Sequence, residues 1–140
     1  MICWLPIYET GNEQVDADHK ELFRLLEEVL SSLEINDSDK SKIAIDFMLD
    51  YTNGHFMREE KMMEESEFPG IEGHKEEHRT FYETFRGLCE KFTNHACTLN
   101  NATGEKDSRY ISSEITKTIV KWLIKHVTGS DRVFATYYNK

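Results

Sequence analysis

The sequence predicts an all-α protein, an up-down-up-down four-helix bundle with an N-terminal extended arm. Apolar residues recur at spacings of three and four along four long segments, which is the period of an α-helix with one buried face. Mostly short, turn-forming links join the segments, so successive helices should run antiparallel. A chain of 140 residues suits one domain, expected as an arm over residues 1–15, a bundle over about 16–131 and a tail over 132–140.

The N-terminal segment predicts an arm that packs over the bundle. Its proline and glycine, with the aromatic side chains of Trp4 and Tyr8, are typical of an irregular segment lying on a helical surface. The first helix should then run from about Asp18 to Leu33. Asp16 or Asp18 is expected to cap it, because such a side chain accepts hydrogen bonds from free N–H groups of the first turn.

Two longer helices follow, predicted over residues 40–65 and 71–93. Pro69 cannot continue a helix and Gly70 suits a tight turn, so the chain should reverse between them. The later helix carries the most regular apolar seam in the sequence, formed by Ile71, His74, His78, Phe81, Phe85, Leu88 and Phe92.

The fourth helix is predicted over residues 108–127. Residues 94–107 precede it and should form the longest loop, because they are rich in turn-forming side chains. The stripe of the fourth helix consists of Ile111, Ile115, Ile119, Trp122 and His126.

Charge and cysteine content exclude several classes of function. The formal net charge of −9 argues against nucleic-acid binding, which rests on Lys and Arg against phosphate. No apolar run approaches the length of a membrane span, and the start lacks the pattern of a signal peptide, so we expect a cytoplasmic protein. Cys3, Cys89 and Cys97 are expected to be reduced thiols without assigned chemistry. We expect a monomer, because the apolar stripes are used up inside one bundle.

Polar side chains interrupt the core-facing stripes of all four helices. They are His19, His55, Glu59, His74, His78 and His126. A polar group buried without a partner costs roughly 2–7 kcal/mol in an apolar setting, and a bound metal would satisfy all of these at once. In an up-down bundle they also converge on one end, whereas His95 falls at the opposite end. Core histidines with ordinary partners would not explain that convergence.

Asp131 can join this set only if the last helix is interrupted. It lies five residues after His126, which on a regular helix places the two side chains about 140° apart. Gly129 lies between them and would permit a break. We therefore expect an irregular turn or a π-type bulge at residues 127–131.

Five histidines and two carboxylates are too many ligands for one tetrahedral ion. Two metal ions with bridging carboxylates fit this donor set better. The residues alone do not identify the metal, because this set of ligands would accept zinc, cobalt or manganese as well as iron.

These spacings resemble the hemerythrin family in its single-domain bacterial form, over nearly the whole chain. The matching features are Asp16-Ala17-Asp18-His19, His55-Phe56 with Glu59-Glu60, His74 with His78, Trp122-Leu123 with His126, and His126 with Asp131. The resemblance implies a non-haem di-iron centre with an oxo or hydroxo bridge. One iron would take His74, His78 and His126, the other would take His19 and His55, and Glu59 and Asp131 would bridge them.

The resemblance also implies a function, which is reversible dioxygen binding for transport or storage. With those ligands, the iron bound by His19 and His55 keeps one open position, where dioxygen would bind. The dry pocket around it should be lined by Leu22, Phe56, Trp122 and Leu123. The alternatives are sensing of oxygen, redox state or nitric oxide through a separate partner, a di-iron oxidase or peroxidase, and a store for another metal. The nitrogen-rich ligand set argues against an enzyme that cleaves the oxygen–oxygen bond.

Overall fold

The computed structural model describes residues 4–35, 37–97 and 104–139, with side chains described up to residue 92 and again from 113. It contains a 3-10 turn, four long helices and a short fifth helix: Pro6–Tyr8, α1 Glu13–Glu34, α2 Ser38–Glu65, α3 Ile71–Cys97, α4 Gly104–Thr128 and α5 Ser130–Tyr138. Along the chain, each long helix packs against the next, and α1 also packs against α4. The predicted all-α four-helix bundle is confirmed.

The first helix begins earlier than predicted, at Glu13, and its cap is Asn12 rather than Asp16 or Asp18. Asn12 has an extended backbone, and its side chain accepts a hydrogen bond of 3.1 Å from a backbone N–H of the first turn. The Asp16 carboxylate instead accepts hydrogen bonds from the backbone and hydroxyl of Thr10, at 2.8 and 2.7 Å. It therefore ties the arm to the helix.

The arm lies on the bundle as expected, although it contains the 3-10 turn and gives its last residues to α1. The rings of Trp4 and Tyr8 pack against Phe23, with centroid distances of 5.2 and 4.9 Å. The arm therefore covers part of the core along α1.

The loop expected over residues 94–107 is shorter than predicted. Residues 94–97 belong to α3 and 104–107 to α4, while 98–103 lie outside the described residues. Turn-forming residues are only mildly unfavourable in a helix, so backbone hydrogen bonding continues past a boundary drawn from composition.

The tail expected over residues 132–140 is wrong for most of its length, because α5 runs from Ser130 to Tyr138. Phe134 is fully buried and packs against Phe68 with a centroid distance of 5.1 Å, in a small cluster that also contains Met63. That packing folds α5 back over the junction of α2 and α3.

Candidate metal centre

Seven polar side chains converge at one end of the bundle, and every one is at most 4% exposed. They are the seven residues singled out from the sequence: His19 on α1, His55 and Glu59 on α2, His74 and His78 on α3, His126 on α4 and Asp131 on α5. The cluster lies between the main core and the small cluster at α5. His78 stacks on Phe56 of the main core. The ring centroids of His74 and of Phe134, which belongs to the small cluster, lie 6.5 Å apart.

Asp131 contacts histidines from three different helices. Its Oδ2 lies 2.6 Å from Nε2 of His19, while its Oδ1 lies 2.8 Å from Nε2 of His74 and 2.7 Å from Nε2 of His126. The two oxygens thus face different groups of histidines, which is the geometry of a carboxylate placed between two cations.

Glu59 of α2 has a similar position between histidines of different helices. Its Oε2 lies 3.3 Å from Nε2 of His55, while its Oε1 lies 2.6 Å from Nε2 of His74 and 3.4 Å from Nε2 of His78. Neither oxygen has a hydrogen-bond partner of good geometry among the described residues. A carboxylate buried in this way is costly unless a cation compensates it.

The donor atoms divide into two overlapping groups that share both carboxylates. Within each group, the ligand atoms lie within 4.8 Å of one another. One group contains Glu59, His74, His78, His126 and Asp131, and the other contains His19, His55, Glu59 and Asp131. This donor set fits two neighbouring metal ions.

A break between α4 and α5 turns Asp131 towards the cluster. The backbone N–H of Gly129 donates to the carbonyl of Lys125 at 3.0 Å, and the next helix starts one residue later. A Cβ at Gly129 would lie 2.7 Å from that carbonyl oxygen, so the position requires glycine. The predicted irregular turn is confirmed as a one-residue interruption, and Asp131 is fully buried behind it.

Ion pairs control the protonation of the imidazoles in the metal-free protein. Burial lowers the pKa of His55, but contacts with Asp131 and Asp18 outweigh it and raise the pKa to about 10. Burial likewise opposes contacts of His74 with Asp131 and Glu59, which raise its pKa to about 9. Burial dominates for His78 and lowers its pKa to about 4. Protonated imidazoles therefore balance the carboxylates, and binding of metal ions would release those protons.

Asp18, expected from the sequence as a possible helix cap and as part of the motif before His19, contributes a carboxylate behind the cluster. Its Oδ2 accepts a hydrogen bond of 3.0 Å from Nδ1 of His55. Arg58 and Tyr51 also donate to this carboxylate, each at 2.9 Å. The signal was present, because Tyr51, His55 and Arg58 share one helix face at spacings of four and three.

Two further carboxylates lie behind histidines of the larger group. Glu77 lies 3.5 Å from Nδ1 of His126, and Glu60 lies 4.0 Å from Nδ1 of His78. Carboxylates in such positions commonly orient imidazoles that bind metals.

Two of the four residues expected to line a ligand pocket stack on histidines of the larger group. Phe56 is parallel to His78 at 3.8 Å, and half-buried Trp122 is nearly parallel to His126 at 4.4 Å. Trp122 and His126 both border a surface cleft. Leu22 and Leu123 are each 2% exposed in the main core. They lie three residues, about one helical turn, from His19 and His126.

An antiparallel helical bundle with a buried cluster of imidazoles shared between two carboxylates defines a metal-binding bundle protein. A family model described as the hemerythrin HHE cation binding domain matches residues 10–138. The chain therefore belongs to the hemerythrin family.

Similarity to individual relatives extends over most of the chain. It is 27% identical to a bacteriohemerythrin of Stenotrophomonas maltophilia (strain R551-3), over 96% of this chain and 80% of the relative. It is 29% identical to a bacteriohemerythrin of Aquifex aeolicus (strain VF5), over 92% and 91% of the two chains. A myohemerythrin of Theromyzon tessulatum is 24% identical over 91% and 86%. In the described part of the chain, no helix has both the length and the apolar character needed to cross a bilayer.

Proposed function

We propose that the protein binds dioxygen reversibly, as a carrier or store, at a non-haem di-iron centre held by these seven side chains. The observation that carries the proposal is the pair of overlapping donor groups that share Glu59 and Asp131. Membership of the hemerythrin family supports iron as the metal. When bound, an oxo- or hydroxo-bridged iron pair would supply the electrons that reversible binding of dioxygen requires.

The two donor groups differ in their number of histidines, and this difference supports a location for dioxygen. The larger group has three imidazoles, while the smaller has only His19 and His55 besides the shared carboxylates. The ion with fewer protein ligands has more room for an external ligand. We therefore assign dioxygen to the side of His19 and His55.

The surrounding side chains would keep water away from this centre. Leu22 and Leu123 are almost fully buried next to the cluster along α1 and α4, and Phe56 covers the ring of His78. Because water promotes irreversible oxidation of ferrous iron, a dry surrounding favours reversible binding. The same nitrogen-rich donor set supports a binding protein rather than an enzyme that cleaves the oxygen–oxygen bond. The close packing of the apolar stripes supports a monomer.

The test is anaerobic reconstitution with ferrous iron, followed by cycles of oxygen addition and purging under visible spectroscopy. A band that appears with oxygen and disappears on purging over several cycles supports a carrier or store. Rapid irreversible oxidation would instead favour sensing, and turnover of an added substrate would favour an oxidase or peroxidase. Two irons per chain are expected.

A pair of histidine variants tests the location of the site. His55→Ala should lower iron loading to about one per chain, because the smaller group would keep one imidazole. The matched control is His95→Ala, since α3 places His95 about 25 Å along the helix from His78. Loading of two irons in His55→Ala would refute the assignment, as would an equal loss in the control.

A further inference from the structure

The carboxylate of Asp18 is a junction between α1 and α2. It is 5% exposed, and both of its oxygens accept hydrogen bonds. Oδ2 accepts from Nδ1 of His55 at 3.0 Å and from Nε of Arg58 at 3.2 Å. Oδ1 accepts from Arg58 and from the Tyr51 hydroxyl, both at 2.9 Å, and from Gln14 at 3.5 Å. Every donor except Gln14 comes from α2, so this carboxylate orients α2 side chains from α1.

The hydrogen bond from His55 determines which ring nitrogen faces the metal centre. Because a carboxylate can only accept, Nδ1 of His55 keeps the proton that it donates to Asp18, and Nε2 is the nitrogen that would lose its proton and bind a metal. Nε2 points at the cluster and has no hydrogen-bond partner there among the described residues. The other imidazole of the smaller group lacks this support, since Nδ1 of His19 has no such partner in the described part of the chain.

Arg58 holds the outer side of Asp18. Its side chain is 43% exposed, and its guanidinium lies 5.3 Å from the centroid of the Tyr51 ring. Gly54 leaves room for it, because a Cβ there would lie 3.2 Å from the guanidinium. The carboxylate therefore accepts hydrogen bonds from His55, Arg58 and Tyr51 together.

We infer that Asp18 is a positioning residue for the metal ion bound by His19 and His55. Arg58, at the surface, affects binding of this ion indirectly, because it holds Asp18 in place. The inference rests on the proposed metal centre, but it does not depend on dioxygen. Asp18 contacts His55 at Nδ1, on the side of the ring that faces away from the metal centre. It sets the orientation and the proton position of that imidazole, so its effect should be confined to one of the two ions.

The test measures binding of cobalt(II) to the metal-free protein by calorimetry and visible spectroscopy. Asp18→Asn keeps the size of the side chain but removes its charge, and should weaken one of two cobalt sites by about 10- to 100-fold, the usual effect of losing such a partner. Arg58→Gln should weaken the same site to a smaller degree. The matched control is Arg24→Gln, which removes an exposed arginine whose ion pairs in the described part of the chain are with Glu21 and Glu28 of its own helix. It should bind cobalt like the unmodified protein.

A second readout follows the proton on His55 directly. In protein labelled with ¹⁵N-histidine, the Nδ1–H signal of His55 should be protected from exchange with solvent, and Asp18→Asn should accelerate that exchange. Loss of that signal in His55→Ala assigns it. The exchange is measured on metal-free protein, so it does not require that the variant binds metal. If Asp18→Asn does not fold, exchange of the same signal is measured in Arg58→Gln.

The outcomes separate a positioning role from a structural one. Equal weakening of both cobalt sites would overturn the inference in favour of general destabilisation, and unchanged cobalt affinity with unchanged exchange would overturn it outright. If Asp18→Asn weakens one of two cobalt sites but the ferrous form of the unmodified protein does not bind dioxygen reversibly, the proposed function fails while the inference stands. If the Asp18 and Arg58 variants bind cobalt like the Arg24→Gln control, while the ferrous protein binds dioxygen reversibly, the inference fails and the proposed function stands.

Discussion

Gly129→Ala tests the break that turns Asp131 towards the metal centre. The new Cβ would lie 2.7 Å from the carbonyl oxygen of Lys125, a distance at which the backbone must shift. Overpacking of this kind costs about 1–3 kcal/mol. For a chain of this length, that corresponds to a fall in the melting temperature of roughly 3–12 °C. Asp131 is only two residues further along, so metal binding should weaken as well.

The assays are thermal unfolding of metal-free protein by circular dichroism and metal titration of the variant. Because both donor groups share Asp131, both metal ions should be affected. The matched control is Gly87→Ala, since nothing described lies within 4 Å of its added Cβ. Glycine is unfavourable inside a helix, so this control should be more stable by about 0.5–1 kcal/mol. If both variants gained stability and bound metal normally, the steric account of Gly129 would be wrong.

Two further predictions concern protonation and the fifth helix. Metal-free protein should lose stability as pH rises from about 6.5 towards 10. The folded-state pKa values of His55 and His74 are about 10 and about 9, so over this range the folded state retains protons that the unfolded state releases. Urea titrations should show a fall of at most about 1.4 kcal/mol per pH unit for each group, absent when metal is bound, and a flat profile would contradict the ion pairs. Phe134→Ala should lower the free energy of unfolding by about 3–5 kcal/mol because Phe134 is fully buried. Phe47→Ala, at a ring 64% exposed, should change it by less than about 0.5 kcal/mol, and similar losses in both variants would refute the packing of α5.

Helix packing explains why the fold was predictable. Burial of one face leaves a repeat of three and four in the sequence, and polar residues on that face stand out because burying them alone is costly. The order of the helices then placed the histidines of α1, α2, α3 and α4 at one end. The structure brings these side chains and both carboxylates within reach of one another.

Short elements and local competition explain what the sequence did not show. A helix of nine residues such as α5 carries too few turns to display a clear repeat, and its position depends on the contact of Phe134 with Phe68. The cap of α1 was misplaced because Asn12, Asp16 and Asp18 are all competent caps. Their backbone conformations and other partners decide among them, and neither is visible in composition.

Four amphipathic helices, their antiparallel order and the polar residues that face the core could all be predicted from the chain, because periodicity and burial are local properties of a helix. Helix packing was needed to show which carboxylate oxygen faces which histidine, that Asp18 of α1 supports His55 of α2, and that Trp122 stacks on His126. These contacts join residues far apart in the chain. Their geometry depends on the rotation and spacing of packed helices, which no local pattern specifies.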